Sequence, residues 1–514
     1  MSSHQLSPRN LATTTKPYKF LLTIPATVKV TDIFTSFMKA FFAIVAVASI
    51  SLLSFNAIPS SITTSHVDPS TTVRVSDSTN GGINFQPNYY QETNVSHILF
   101  GIGGSAKMWE ERRHYCELWW KPNTTRGFVW LDEPPQENTP WPESSPQYRV
   151  SEDTTRFQYT CWYGSRSAIR IARIIKESFQ LGLKDVRWFV MGDDDTVFFI
   201  ENLLTVLRKY DHKEMYYIGS NSESVEQDLI HSYTMAYGGG GFAISYPLAE
   251  VLVRVLDGCI DRYSSAYGSD EKIGGCMAEI GVPLTRELGF HQVDIRGDPY
   301  GLLAAHPLVP LVSLHHQDYL QPIFPGLTQV ESTKKLIQSY QLDPSRLLQQ
   351  SFCYDLNRNW SFSISWGYTA QLYPSLVTAK ELITPFQTFT TWRTWSAEPF
   401  SFNTRVLSQE PCERPIIYFL DGPTNMVNSS SGESTRTMYK KVEAEPGKEC
   451  IREDYGAAAS IKTIKVSAAI LDASVWTKGQ RRQCCEVVNG NGGEEEVLKI
   501  KIRNCKRRES VSPP

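Results

Sequence analysis

Excess charge of either sign is missing from this 514-residue chain, where 51 Lys and Arg face 54 Asp and Glu for a formal charge of -3. That balance carries no signature of a phosphate backbone as partner, so no nucleic acid is expected. Zinc-site spacing is missing as well. The ten cysteines, at positions 116, 161, 259, 276, 353, 412, 450, 484, 485 and 505, contain no Cys-x-x-Cys pair, which argues against a structural zinc centre. The glycines match neither the dinucleotide nor the Walker fingerprint. Charge is also absent from Ala40 to Phe55, and that absence bears on compartment. Aromatics are 12% of the residues, which suits carbohydrate stacking and ordinary cores alike and decides nothing.

Upstream of the uncharged run lie Arg9, Lys16, Lys19, Lys29 and Lys39 against the single acid Asp32. This bias predicts a cytosolic amino terminus. It yields a cytosolic tail over 1–39, a membrane-spanning signal anchor over 40–58, and a Ser/Thr/Pro-rich stem over 59–93. The body would then be lumenal. A cleaved signal peptide or an organellar transit peptide is the competing reading of the same residues. Sequons at Asn94, Asn123, Asn359 and Asn428 agree with a lumenal body, and an oxidising compartment would allow up to five disulfides.

The motif that organises the chain is Trp188-Phe189-Val190-Met191-Gly192-Asp193-Asp194-Asp195. A hydrophobic strand runs into three adjacent carboxylates, each close pair costing roughly 1 to 4 kcal/mol. One Asp would serve as a helix cap; three point to a cation. Alternation along extended backbone lets Asp193 and Asp195 face one ion together. Oxygen donors of this kind suit Mg²⁺ or Mn²⁺. Apolar residues at Ile200, Leu203, Leu204 and Leu207 predict a helix from Val197 to Tyr210, and Ala168, Ile171, Ala172, Ile175 and Phe179 predict another within 164–182. Alternating strands and helices make the region α/β with a mostly parallel sheet.

Further candidates follow. Asp132 closes the strand Gly127–Leu131, where an acid can bind a ribose or base but can also be an ordinary polar strand end. Gly238 to Gly241 precede a strand and permit close backbone approach to a ligand, or simply a turn. Asp270 and Glu271 can supply a general base or cap the next helix. His315 and His316 end a hydrophobic strand; such residues are commonly core histidines, yet a pair beside a metal site gains interest. Beyond residue 330 the texture becomes β-rich, with no catalytic constellation, a loose polar loop over 422–449 and a basic tail over 506–514.

In their order along the chain, WFVMGDDDTVFF, YGGGGFAIS, GSDEKIGGC and PLVSLHH resemble the Fringe-like, β-1,3-glycosyltransferase superfamily of type II Golgi enzymes, and more closely its plant Fringe-related branch. The resemblance covers residues 95 to 325 on the enzyme side. It implies a GT-A fold (Rossmann-like, with a mostly parallel central sheet) over 94–330, followed by a smaller β-rich carboxyl-terminal domain over 331–505. It implies a UDP-sugar donor, a glycan or glycoprotein acceptor, and Mn²⁺ held by Asp194, Asp195 and either His315 or His316, with His291 a weaker candidate. Asp193, Asp132, Gly239 and Gly240 would contact the nucleotide sugar, with Lys107, Arg112 and Arg113 near the diphosphate. Asp270 would be the catalytic base and Glu271 its alternative. Lys272 departs from the small or apolar residue usual there. The implied activity is transfer of a hexose with inversion in the Golgi, with a β-1,3 linkage expected by family likeness alone. A lumenal lectin or chaperone that keeps the fold without turnover, and a carboxylate-based phosphohydrolase, are the competing readings.

The anchor is directly testable: expressed in cells, the full chain is expected to stay with the membrane pellet after alkaline carbonate extraction. Release into the supernatant contradicts a membrane-spanning 40–58 segment.

Overall fold

The structure, a computed structural model, describes residues 92–135, 140–422, 425–429, 432–443, 450–488 and 496–513. The expected tail and anchor, and all but the end of the stem, lie outside the described residues. Among the described residues no helix is long and apolar enough to cross a membrane.

Strands of the amino-terminal part are, in chain order, β1 (Ile98–Gly103), β2 (Gly127–Leu131), β3 (Tyr148–Val150), β4 (Trp188–Asp193), β5 (Val197–Phe198), β6 (Tyr217–Gly219), β7 (Phe242–Ser245), β8 (Leu284–Arg286), β9 (Phe290–His291), β10 (Ile295–Gly297) and β11 (Ser313–Leu314). Seven of them form one sheet in the order β3-β2-β1-β4-β7-β6-β8. β1, β2, β3 and β4 are mutually parallel where they pair. β7 runs antiparallel to β4 and β6, and β6 pairs parallel with β8. The sheet is thus mixed, an arrangement compatible with GT-A.

β1 and β4 are buried along nearly their whole length because both faces are covered, as their continuous apolar runs require. Leu99, Phe189 and Met191 face a core shared with the helices Ser167–Gln180, Tyr246–Arg262 and Ser269–Ile280. Ile98, Phe100, Trp188 and Val190 face a second core. The period of two divides each strand between them.

One element differs from the sequence reading. Val197 and Phe198 do not begin the helix, which spans Ile200–Leu207; they form β5, pairing antiparallel with β11, and β11 pairs parallel with β9. β-branched and aromatic residues suit this strand, and its pairing positions the site below.

The carboxyl-terminal part contributes β12 (Gln350–Asp355), β13 (Trp360–Ser365), β14 (Thr369–Tyr373), β15 (Phe389–Thr391), β16 (Ile416–Leu420), β17 (Asn425–Ser429), β18 (Gly432–Lys441), β19 (Thr463–Ala469), β20 (Cys484–Val488) and β21 (Val497–Arg503). Nine of these form a sheet in the order β16-β14-β13-β12-β20-β21-β19-β18-β17. Here the expected loose loop over 422–449 is corrected. It contains the β17–β18 hairpin, and β18 also pairs with β19 and β16. Its inward residues are Thr435, Thr437 and Tyr439, all buried; the period of two is present but written in threonine, which an apolar count misses. The basic tail is docked rather than free: Glu509 pairs with Arg503 at 2.8 Å.

The expected boundary near residue 330 separates two sheets but not two cores. Tyr89–Pro514 form one compact unit, and one apolar cluster runs from Ile98 on β1 to Ile502 on β21. β15 pairs with β10 across that boundary, and Tyr300 lies against Tyr368 and Phe419.

Four disulfides join Cys259 to Cys276, Cys353 to Cys485, Cys412 to Cys450 and Cys484 to Cys505. Cys116 and Cys161 are buried and unpaired, so a fifth bridge is not formed. The first disulfide closes a short loop, with a sequence separation of 17, between two helices. Replacing both Cys259 and Cys276 by Ala should lower the unfolding free energy by about 3 kcal/mol, read as a shift in urea midpoint; an unchanged midpoint contradicts a structural role.

Candidate metal and donor site

The site lies at the carboxyl end of β4, where parallel strands of open α/β sheets present ligand-binding loops. β4 ends at Asp193, and a tight turn carries Asp194 and Asp195 to Thr196. That turn is tied by the Asp193 N–H donating to Thr196 Oγ1 at 2.8 Å and by Thr196 Oγ1 donating to the Gly239 carbonyl at 2.7 Å. Because Leu314 pairs with Val197, the residue after β11 arrives opposite the turn. That residue is His315.

His315 Nε2 lies 3.0 Å from Asp195 Oδ1 and 3.8 Å from Asp193 Oδ2. Ligand atoms of Asp193, Asp195 and His315 all fall within 4.8 Å of one another. Asp194 points elsewhere. Its Oδ1 accepts from Arg112 Nη1 at 3.0 Å, while Arg112 also approaches Asp195 at 3.5 Å. The pleat thus joins Asp193 with Asp195 and turns Asp194 to the guanidinium, so Asp194 does not share the ligand group implied for it, and Asp193 does.

The electrostatics follow. Burial and the other two carboxylates push Asp193 up to about 7, against the pull of His315. Burial and Asp195 push Asp194 up to about 6 despite Arg112. Burial opposes ionisation of Asp195 too, but His315 and Arg112 hold it well below the usual carboxylate range. Burial disfavours a charged His315, yet Asp195 and Asp193 raise it to about 9. A proton on His315 therefore occupies the position between two carboxylates that a cation would take.

The donor set fits a divalent ion. Two carboxylates and an imidazole suit Mg²⁺ or Mn²⁺ in ligand type, and Asp195 Oδ1 is buried without an aligned hydrogen bond. The Asp-Asp-His group can bind a metal. The other such cluster among the described residues, Cys484, Cys505 and Glu509, has its two sulfurs in a disulfide.

His316 departs from the expectation. Its left-handed backbone, φ +54, turns its ring away: Nδ1 faces Asp294 Oδ1 at 3.1 Å and the ring stacks on Trp392 at 4.3 Å. His291 sits in a buried pair, 3.0 Å from Glu223 and 3.0 Å from His306, and is not part of the ligand group. Gly239 and Gly240 are buried. A Cβ on Gly239 would lie 2.0 Å from His315 Cε1, and one on Gly240 would lie 2.9 Å from the Gln292 nitrogen. These two glycines make room for protein, not for a sugar; Gly238, partly open, lines the cavity instead.

Asp270 lines that same cavity with Asp193, Gly192 and Phe242. It lies in the first turn of the helix Ser269–Ile280. Its Oδ2 accepts from the Gly238 N–H at 3.1 Å and its Oδ1 from the Glu271 N–H at 2.9 Å. Burial raises its pKa above the ordinary value against those bonds. Glu271 is turned outward, accepting from the Tyr267 N–H at 2.7 Å with His231 at 3.6 Å. Asp132 is exposed and accepts from the Ala106 N–H at 2.9 Å and Ser105 Oγ at 3.1 Å, fastening the loop after β1. Arg113 is paired with Glu110 and Glu117. Buried Arg170 donates to the carbonyls of Trp130 and Gly104, both at 2.8 Å, and so holds the ends of β1 and β2 together. Sequence reasoning missed Trp392 and Asp294 entirely, since only tertiary contact brings them to His316.

Residues 227–485, just over half of the chain, match the family described as "Protein of unknown function, DUF604". The chain belongs to that family. Residues 96–298 match the Fringe-like family, consistent with a Fringe-related family within the β-1,3-glycosyltransferase superfamily. A mouse β-1,3-glucosyltransferase is 30% identical over 162 residues, 31% of each chain. Its human counterpart is 33% identical over 106 residues, 20% of each chain. The chain thus spans under a third of the length of these relatives. The catalytic domain of a Drosophila β-1,4-galactosyltransferase, solved with xylobiose, superposes with a TM-score of 0.20 at 12% identity, covering 37% of this chain and 64% of that one. A glycosyltransferase involved in glycosylating the PBCV-1 major capsid superposes with a TM-score of 0.25 at 12% identity, covering 46% and 96%. At such TM-scores neither superposition decides anything about the fold.

Gly239→Ala should displace the His315 ring, at an overpacking cost of about 1–3 kcal/mol. Titration calorimetry with Mn²⁺ as probe ion should show affinity reduced about tenfold or more, since that loss corresponds to only 1.4 kcal/mol. Wild-type affinity in this variant contradicts the role assigned to His315.

Proposed function

We propose that the chain is a Mn²⁺-dependent glycosyltransferase that moves a hexose from a UDP-sugar to a hydroxyl of a glycan or glycoprotein, with inversion and through a β-1,3 linkage. The observation that carries this reading is the convergence of Asp193, Asp195 and His315 in one ligand group, with Asp193 lining a cavity together with Asp270. The Fringe-like match and the β-1,3-glucosyltransferase relatives support it. We place the enzyme in the Golgi membrane as a single-pass type II protein, supported by the uncharged run Ala40 to Phe55 and its basic flank.

In this reading Asp193, Asp195 and His315 would hold the ion, which supplies Lewis-acid stabilisation to the departing diphosphate. To act as a ligand His315 would have to be neutral, its proton passing to solvent. Asp194 stays paired with Arg112, so that guanidinium balances the third carboxylate instead of competing for the ligand pair. Asp270, held by the Gly238 and Glu271 amides, accepts the proton of the acceptor hydroxyl. The hydroxyl oxygen forms its bond to the anomeric carbon from the face opposite the leaving group. The anomeric C–O bond to UDP breaks, its electron pair departing with the diphosphate. One such displacement inverts the centre. Lys272 is buried and donates to the Tyr263 carbonyl at 2.6 Å, so the departure from the family pattern at this position points away from the cavity.

The test is transfer from a panel of UDP-sugars by the full chain. Asp270→Asn should reduce kcat by about 10²–10⁴-fold, the usual size of a general-base contribution, while leaving Mn²⁺-dependent UDP binding intact. Asp195→Asn should abolish both. In the wild type, kcat/KM should fall as pH drops through the raised pKa of Asp270, because only the ionised base works, so the acid limb lies above the ordinary value of about 3.9. Full activity in Asp270→Asn overturns the assignment.

A further inference from the structure

The carboxyl-terminal region brings Trp392 up to His316, next to the Asp-Asp-His group, with Trp395 beyond it. Asp195 meets His315 at 3.0 Å, the His315 and His316 rings lie 3.9 Å apart, and His316 stacks flat on Trp392 at 4.3 Å. Arg296 continues the stack, its guanidinium 4.2 Å from the Trp392 ring and 4.7 Å from the Trp395 ring, with Tyr319 edge-on to Trp392 at 4.9 Å. Each layer touches the next, from the carboxylates out to the surface.

The outer layer is built, not loose. Trp395 is 64% exposed, although it carries the largest apolar surface of any side chain and a guanidinium is packed against it. Its backbone is left-handed, φ +56, a conformation unfavourable for a bulky residue and kept where surrounding structure enforces it. Glu226 does the enforcing from the other half of the protein: its carboxylate accepts from Thr391 Oγ1 at 3.1 Å, from the Arg393 N–H at 3.2 Å, from the Thr394 N–H at 3.4 Å and from Thr394 Oγ1.

We propose that Trp395, carried on Trp392 through Arg296 and held by the loop that Glu226 fastens, is the stacking platform for the acceptor saccharide. This rests on the glycosyltransferase reading and assigns the carboxyl-terminal region its part in it. A pyranose has one face of C–H bonds and a rim of hydroxyls. A rigid exposed indole matches the face at small entropic cost, and polar groups at its border serve the rim. A protein partner recognised through backbone or charge would not need a bare indole clamped in a strained conformation. The acceptor class is thus a glycan with an unsubstituted C–H face.

The experiment uses the full chain, with UDP and Mn²⁺ present, on an array of immobilised mono- and oligosaccharides, followed by fluorescence titration of each free saccharide that binds. Wild type is expected to bind a defined set. Trp395→Ala should weaken it about tenfold or more, Trp395→Tyr should restore most of it, and melting temperature and UDP affinity should not change in either variant. Equal saccharide binding by wild type and Trp395→Ala overturns the platform, as does a wild type that binds UDP but no saccharide. Saccharide binding that depends on Trp395 without any Mn²⁺-dependent UDP binding upholds the platform and overturns the transferase.

Discussion

The pairing of two short strands governs the site. β5 and β11 are two residues each, yet their register, Leu314 against Val197 and Ser313 against Phe198, alone carries His315 across 120 positions of sequence to the carboxylates of the Asp triplet. A slip of one residue would turn the imidazole to the opposite face. Several contacts guard against it. Ser313 Oγ donates to the Gly240 carbonyl, Phe199 N–H donates to the Val312 carbonyl at 2.8 Å, and the ring sits in space that a Cβ on Gly239 would fill. The Asp-Asp-His group is a consequence of strand register as much as of acidic residues.

Charge balance explains why the triplet is tolerated. Three adjacent carboxylates are relieved by two cations of different kinds. Arg112 is permanently charged and takes Asp194. His315 is conditionally charged and takes Asp195 and Asp193, so its proton can yield to a metal. The division between a fixed and an exchangeable cation follows from the pleat of the turn. The second sheet supports this arrangement from behind, since the core under β1 and β4 is continuous with its strands.

Much of this was legible in the residues. The strand into the triplet, the helix Ser167–Gln180, the glycine strip before β7 and the acidic first turn at Asp270 carry period, cap and turn signals that act locally. Alternation along extended backbone, applied to Asp193 and Asp195, matches the observed geometry, whereas family likeness pairs Asp194 with Asp195. What could not be read is nonlocal. β5 hides inside a helical pattern because its partner lies over a hundred residues away. β18 hides because threonine fills its inward positions. His316 shares every local feature with His315 and is separated from it by a single left-handed residue and by Trp392, which nothing in the neighbouring sequence announces.

The account's central claim is that His315, Asp195 and Asp193 are one cation site. Anomalous diffraction at the manganese edge, from crystals of the protein grown with Mn²⁺ and UDP, tests it most directly. The expected result is a single strong peak in coordination contact with Asp193, Asp195, His315 Nε2 and the diphosphate, with Asp194 still on Arg112. A peak on Asp194 or His316 instead, or His315 remaining on Asp195 with no metal between them, would contradict it.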